Sequence, residues 1–307
     1  MPENTPAQVI VAAGGLGTRV HGWAQFIPKE FYPVGGRPGI TRLLDEISAL
    51  GPARVAIIYH PYYEQFAAWG REVLGPDGHA RYSRVAGVDV AAAVPAGTTV
   101  SLIPQHGPYG DLTSVFNGAD RLAAGNEVYI AFADNLYSGP APLPLLGTAP
   151  SADVSVLASR YQPELAGSRG ILITRPGEPP QVQGLVEKPD PAQAAELEDA
   201  FGRGNLMMLE GRAKVTAKFL DFARTRYHSG SGNEPKLALA IDAYAREHRV
   251  VAVPAPGQVI DLGASVGKPG RPSASTAGVS SPATCEPSRC GCREGSPRFT
   301  SPAGRPG

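Results

Sequence analysis

Arg19 and Lys29 stand ten residues apart in AAGGLGTRVHGWAQFIPKEFYPVGGR, residues 12 to 37. Gly14, Gly15 and Gly17 precede the arginine, so backbone N–H groups with little steric cover lie beside two cations. Exposed N–H groups and fixed cations together make an anion site. A planar arginine fork and a lysine point charge suit a polyphosphate whose charge shifts during reaction. The stretch is not a Walker A loop, because Thr18 and Arg19 follow Gly17 where that pattern needs lysine and then serine or threonine. A dinucleotide fingerprint, and with it a dehydrogenase, fails on the missing third glycine: Val20 and His21 come next, and no helix can be drawn before Pro38. Glycines alone could serve only to relieve crowding at a strand-to-loop turn. Two carboxylates complete the chemically able set. Asp134 follows the apolar run VYIAFA and Asp261 follows VI, which places both at the carboxyl ends of strands. Either one alone could equally cap a turn.

The elements that must position these groups follow from hydrophobic period. QVIVAAGG from Gln8 reads as a buried strand feeding a turn. GITRLLDEISALG repeats Ile40, Leu43, Leu44, Ile47 and Leu50 at helical spacing and stops at Gly51. RVAIIYH, TTVSLIPQ and EVYIAFADN read as strands, with YYEQFAAWGREVLG and LTSVFNGADRLAA as helices between them. Alternation of this kind predicts an α/β fold, a mixed but mostly parallel central sheet with helices on both faces, with ligands at the carboxyl ends of the strands. Beyond Asp134 the pattern mixes: DVSVLASRY, GILITRPG, QVQGLVEKP and VVAVPAP read as strands, and DPAQAAELEDAFG, AKFLDFARTRY and EPKLALAIDAYAREH as helices. They continue the same sheet with some antiparallel pieces.

From Gly267 the Ser/Pro/Gly-rich sequence lacks the apolar surface to offset its ordering entropy and is expected to be disordered. The organisation predicted is one domain over 1–266 and a tail over 267–307. Cys285, Cys290 and Cys292 all lie in that tail, far from any histidine, so they read as solvated thiols and not as a zinc site. The 307 residues carry 28 basic and 28 acidic side chains, which gives no long-range attraction to nucleic acid or an anionic membrane. No apolar run approaches a membrane span and the N-terminus lacks a signal-peptide pattern, so the expected address is cytoplasmic.

The ordered set of motifs resembles the sugar-1-phosphate nucleotidylyltransferases. GLGTR, nine residues, then KE inside IPKEFYP resembles their N-terminal signature, and IPKE is particularly similar to the bacterial UTP–glucose-1-phosphate uridylyltransferases. ADNLYSG at 133–139, GLVEKP at 184–189 and IDLGAS at 260–265 resemble the strand-end aspartate, sugar-phosphate and second metal-ligand segments, over residues 8 to 266 in the right order. The resemblance implies a GT-A/Rossmann-like nucleotidyltransferase fold and an Mg²⁺-dependent enzyme. It would join a sugar 1-phosphate to the α-phosphorus of a nucleoside triphosphate, UTP first, and release pyrophosphate. It implies that Asp134 and Asp261 hold Mg²⁺ and that Arg19 and Lys29 hold the triphosphate. Gln105 and Gly110 would then face the base, and Lys188, Glu187 and Gly170 the sugar phosphate. Substrates are the expected partners, with a homo-oligomer left open.

Three features depart from the family pattern. Asp111 and Leu112 stand where a small apolar residue and alanine are usual; VHGWAQF separates the two cations without the usual proline and threonine; and the tail replaces a helical segment. The first two leave open the same chemistry with dTTP, GTP or ATP and an unusual sugar or cyclitol phosphate. A catalytically silent regulatory homologue is a further reading, but each charged group the chemistry needs is present.

Overall fold

The computed structural model describes residues 5–18, 22–75, 77–122, 127–149, 152–227 and 234–265. Arg19, His21, the cysteines and the tail from Gly267 lie outside the described residues. In chain order the regular elements are β1 (Ala7–Ala13), a small ladder of β2 (Pro33–Val34) and β3 (Arg37–Pro38), α1 (Gly39–Ser48), β4 (Ala53–Tyr59), α2 (Glu64–Val73), α3 (Gly78–Ala86), β5 (Thr98–Pro104), α4 (Asp111–Arg121), β6 (Glu127–Phe132), β7 (Asn135–Ser138), α5 (Leu143–Thr148), β8 (Val154–Arg160), β9 (Gly170–Arg175), β10 (Gln181–Glu187), α6 (Pro191–Phe201), β11 (Leu206–Thr216), α7 (Ala217–Arg226), α8 (Leu237–Ala245), β12 (Val250–Pro254), β13 (Gln258–Asp261) and α9 (Leu262–Ser265).

Nine strands form one sheet in the order β5-β4-β1-β6-β11-β8-β12-β10-β9. β1 alternates Val9 and Val11 into one core cluster and Ile10 into another, which is how a strand buried on both faces works. On the first face α1 buries Ile40, Leu43, Leu44 and Ile47, joined by Leu143 and Leu146 of α5. On the opposite face lie Leu112 and Val115 of α4, Phe219 and Ala223 of α7, and Ile241 and Tyr244 of α8. Helices therefore cover both faces, as expected.

The expectation of a mostly parallel sheet is corrected. β5, β4, β1 and β6 run parallel to one another, and β12 runs parallel to β8. β11 lies antiparallel to β6, β8 and β9, and β10 is antiparallel to β12 and β9. The parallel half is the part whose sequence alternates strand and helix. β11 breaks the run because it enters the middle of the sheet from the opposite end. Its buried residues include Glu210, Arg212 and Lys214, which hide a strand from any reading based on apolar period. α3 and α5 are also found where the sequence suggested no helix.

Candidate active site

The carboxyl ends of β1, β5 and β6 open onto one cleft of about 300 Å³, whose far wall is made by β9, β10 and the middle of β11. Of the residues predicted for the site, Gly14, Gly15, Lys29, Gln105, Gly110, Asp134, Gly170, Glu187, Lys188 and Asp261 all line it. Gly17 does not line it and Arg19 is outside the described residues.

The glycine loop is needed at two places for different reasons. A Cβ at Gly14 would stand 2.2 Å from Oε1 of Gln105, so only glycine lets that amide reach the end of β1. Gly17 has φ +61°, in the left-handed region that other residues avoid. Gln105 itself is oriented from both ends. Ser114 Oγ donates to its Oε1 at 2.8 Å, while its Nε2 faces the carbonyls of Pro108 and Gly110 at 3.4 Å. The opposite orientation would set its oxygen against two carbonyls.

Lys29 sits on a short 3-10 turn, Lys29–Phe31, and is 9% exposed. Its ammonium is ion-paired to Oδ2 of Asp134. Burial pulls the Lys29 ammonium down, but Asp134, Glu30 and Asp261 together outweigh it and the net shift is upward. Next to it, Glu30 is 1% exposed and its Oε2 makes no hydrogen bond among the described residues. Burial pushes the Glu30 carboxyl up to about 8. A carboxyl raised in this way favours its protonated form near neutral pH and cancels little of the charge of Lys29.

The two aspartates come from segments held in register. Asn135 pairs with Asp261 across β7 and β13, and Leu262 N donates to Asp134 O at 2.8 Å. Asn135 Nδ2 donates to Asp134 Oδ1 at 2.8 Å, and Gly263 N donates to Asp261 Oδ1 at 2.7 Å. No group of three metal-ligating side chains occurs among the described residues. Two carboxylates fit Mg²⁺ only if phosphates and water supply the remaining oxygens, which is the arrangement that ion prefers.

At the other end, Gly170 pairs with Glu187 across β9 and β10. Lys188 follows with φ +47°, a strained value for lysine, held by its N–H to Arg169 O at 3.2 Å. Its Nζ lies 3.5 Å from Glu187 Oε1. Arg169 reaches both carboxylate oxygens of Glu210, at 2.5 and 2.6 Å, through Nη1, and Ser159 Oγ adds a third bond to that carboxylate. Sequence reading missed Glu30, Arg169, Glu210 and Arg212. The available signal was charge interrupting apolar runs, as in LMMLEGRAKV.

Two departures acquire structural reasons. Asp111 Oδ1 accepts from Leu237 N at 2.6 Å and Leu112 N donates to Pro235 O at 3.1 Å, so this turn joins α4 to the start of α8. Gly110 is required there because a Cβ would stand 2.4 Å from Pro235 O. Within VHGWAQF, the carbonyls of Ala24 and Gln25 accept from the hydroxyls of Tyr63 and Tyr62, at 2.6 and 3.0 Å, and neither residue lines the cleft. Glu30 aside, six acids (Asp111, Asp134, Glu187, Glu210, Glu234, Asp261) face four bases (Lys29, Arg169, Lys188, Arg212) among the described lining residues. An excess of carboxylates disfavours a polyphosphate, and added positive charge offsets it.

No protein-family model matches the chain. It is 29% identical over 203 residues to the bifunctional protein GlmU of Xanthobacter autotrophicus, covering 66% of this chain and 39% of that relative. It is 41% identical over 63 residues to GlmU of Halorhodospira halophila, covering 20% and 13%. The chain therefore spans well under half the length of these relatives. In fold it is similar to the UTP-bound UGPase of Acinetobacter baumannii, with a TM-score of 0.66 at 20% identity over 86% of this chain and 90% of that one. A UDP-glucose pyrophosphorylase complexed with UDP-glucose superposes with a TM-score of 0.64 at 18% identity, over 84% and 94%. The inositol-1-phosphate CTP transferase of T. maritima gives 0.59 at 14%, over 83% and 89%. Among the described residues no helix is long and apolar enough to cross a membrane. In sequence the chain is thus similar to part of GlmU, and in fold to UDP-glucose pyrophosphorylase.

Proposed function

We propose that the protein is an Mg²⁺-dependent nucleotidyltransferase that joins a sugar 1-phosphate to the α-phosphorus of a nucleoside triphosphate, UTP first and glucose 1-phosphate first, and releases pyrophosphate. The observation that carries this reading is the convergence of Gly14, Lys29, Gln105, Asp134 and Asp261 at the strand ends of one cleft. Nucleotidyl transfer asks a protein to hold two anions in line and neutralise the charge that develops, with little covalent chemistry of its own. Lys29 and the glycine loop would hold the triphosphate, with Arg19 on the same loop. Asp134 and Asp261 would hold Mg²⁺, which neutralises phosphate charge when bound. Lys188 would take the sugar phosphate, and Glu187 the sugar hydroxyls, with Gly170 beside them.

Pyrophosphate release across UTP, dTTP, CTP, GTP and ATP, each with glucose 1-phosphate, other sugar 1-phosphates and inositol 1-phosphate, tests the reading. UTP with a sugar 1-phosphate is expected to give the highest kcat/KM, and silence with every pair sinks it. Lys188→Ala is expected to raise the KM for the sugar phosphate about tenfold or more, the scale of one lost charge-assisted contact, and to leave the KM for the triphosphate unchanged. Equal changes in both constants would place Lys188 elsewhere.

A further inference from the structure

We infer that Arg212 is a positioning residue that sets the shape of the Asp134 turn, and with it the cation affinity of the site. The inference rests on the assignment of Asp134 above and goes beyond it. Arg212 is fully buried on β11, yet arginine cannot shed its charge and brings five N–H donors into the interior. Each of the five has a partner. Nε and Nη2 donate to the two carboxylate oxygens of Glu46 on α1, both at 2.8 Å. Nη1 donates to Phe132 O at 3.0 Å and Gly211 O at 2.9 Å, and Nη2 donates to Asn135 O at 2.7 Å. The guanidinium also lies 4.9 Å from the ring centroid of Tyr137.

What matters is where those carbonyls are. Phe132 and Asn135 bracket Asp134, so one rigid planar group grips the chain two residues before the aspartate and one residue after it. Asn135 is also the residue paired with Asp261, so the same grip fixes the register of the second aspartate segment. β11 can deliver the side chain because its pairing with β8 slips there: Leu209 pairs with Ala158 and Ala213 with Val156, leaving Glu210, Gly211 and Arg212 opposite Leu157 alone. A bulge re-aims side chains, and this one sends Glu210 to Arg169 and Arg212 to the Asp134 turn. A pair meant only to fill the core could be replaced by apolar side chains at no loss to the site.

The full-length chain is compared with two variants. Arg212→Lys keeps a cation for Glu46 but has three donors for five acceptors. Arg212→Met with Glu46→Leu removes the buried charges altogether. Three measurements are made: thermal melting, the Kd of Mn²⁺·UTP by calorimetry, and hydrogen exchange of the ligand-free peptide 132–138. Variants that melt cooperatively are expected to bind Mn²⁺·UTP ~10- to 100-fold more weakly, as loss of a ligand-orienting partner does. Peptide 132–138 is expected to exchange faster while β1 and β4 keep the parental rate. Parental affinity and parental exchange in either cooperatively melting variant overturn the inference, and so does failure of both to fold, which would make the pair a core element. A parent that binds no Mn²⁺·UTP while its variants loosen 132–138 overturns the proposed function and leaves the positioning role standing.

Discussion

Asp134→Asn is expected to lower turnover by about 10³-fold while the protein still melts cooperatively. Asparagine keeps the volume and can still accept from Asn135 Nδ2, so the turn that Arg212 grips is preserved. What disappears is the negative charge, and Lys29 loses its ion-pair partner while 9% exposed. Leaving that ammonium unpaired costs about 1–3 kcal/mol of stability. The larger loss is in reaction. In the free cleft Lys29 and Asp134 satisfy each other, so binding a triphosphate is an exchange: the ammonium turns to phosphate and the carboxylate needs a new counter-charge, which Mg²⁺ would supply. Asparagine cannot hold that counter-charge, and removing one preorganised electrostatic group from a transfer site costs about 10²–10³ in rate. The measurement is kcat for pyrophosphate release at saturating Mg²⁺, with the melting curve recorded alongside. Turnover within tenfold of the parent would remove Asp134 from the reaction. Lys29→Met is the companion test and is expected to raise the KM for the triphosphate as well as lower kcat, because its partner in the complex is the substrate.

The parts of the fold and site legible in the sequence share a physical cause. β1, β4, β5 and β6 are short apolar runs between amphipathic helices, and that period gave the parallel half of the sheet and placed Asp134 at its edge. Gly14, Gln105 and Lys29 were found through residue type and order, because close backbone approach and fixed charge leave marks in a sequence. β11 was not legible. Its charged residues are satisfied only by partners far along the chain: Glu46 for Arg212, Arg169 for Glu210 and Glu127 for Lys214. No local pattern announces a pairing 166 residues distant. β8, β9, β10 and β12 and the presence of antiparallel pieces were read from the sequence, whereas β11 and the buried charge network it carries were missed together. Asp111 shows the converse. It looked like an altered base contact and is a tie between two helices, because a residue's place in a motif does not say which way its side chain turns.

Glu30→Gln is expected to change the pH dependence of stability. The folded carboxyl is raised by burial to about 8 from an ordinary value of 4.5, so between those pH values the folded protein holds a proton that the unfolded chain has lost. Stability then falls as pH rises across this window and levels off above pH 8. The shift, which already includes the opposing charge of Lys29, corresponds to roughly 5 kcal/mol. Glutamine has the same shape and cannot ionise, so the variant should match the parent near pH 5 and exceed it by several degrees in Tm at pH 9. The same substitution bears on binding. Above pH 8 the parent gains an anion beside Lys29 and Asp134, where a triphosphate must sit, and its triphosphate KM is expected to climb. The KM of the variant should stay flat over that range. Parallel Tm-against-pH curves for the two proteins would mean that Glu30 is ionised in the folded cleft at neutral pH, and the charge of Lys29 would then be shared between two carboxylates before any phosphate arrives.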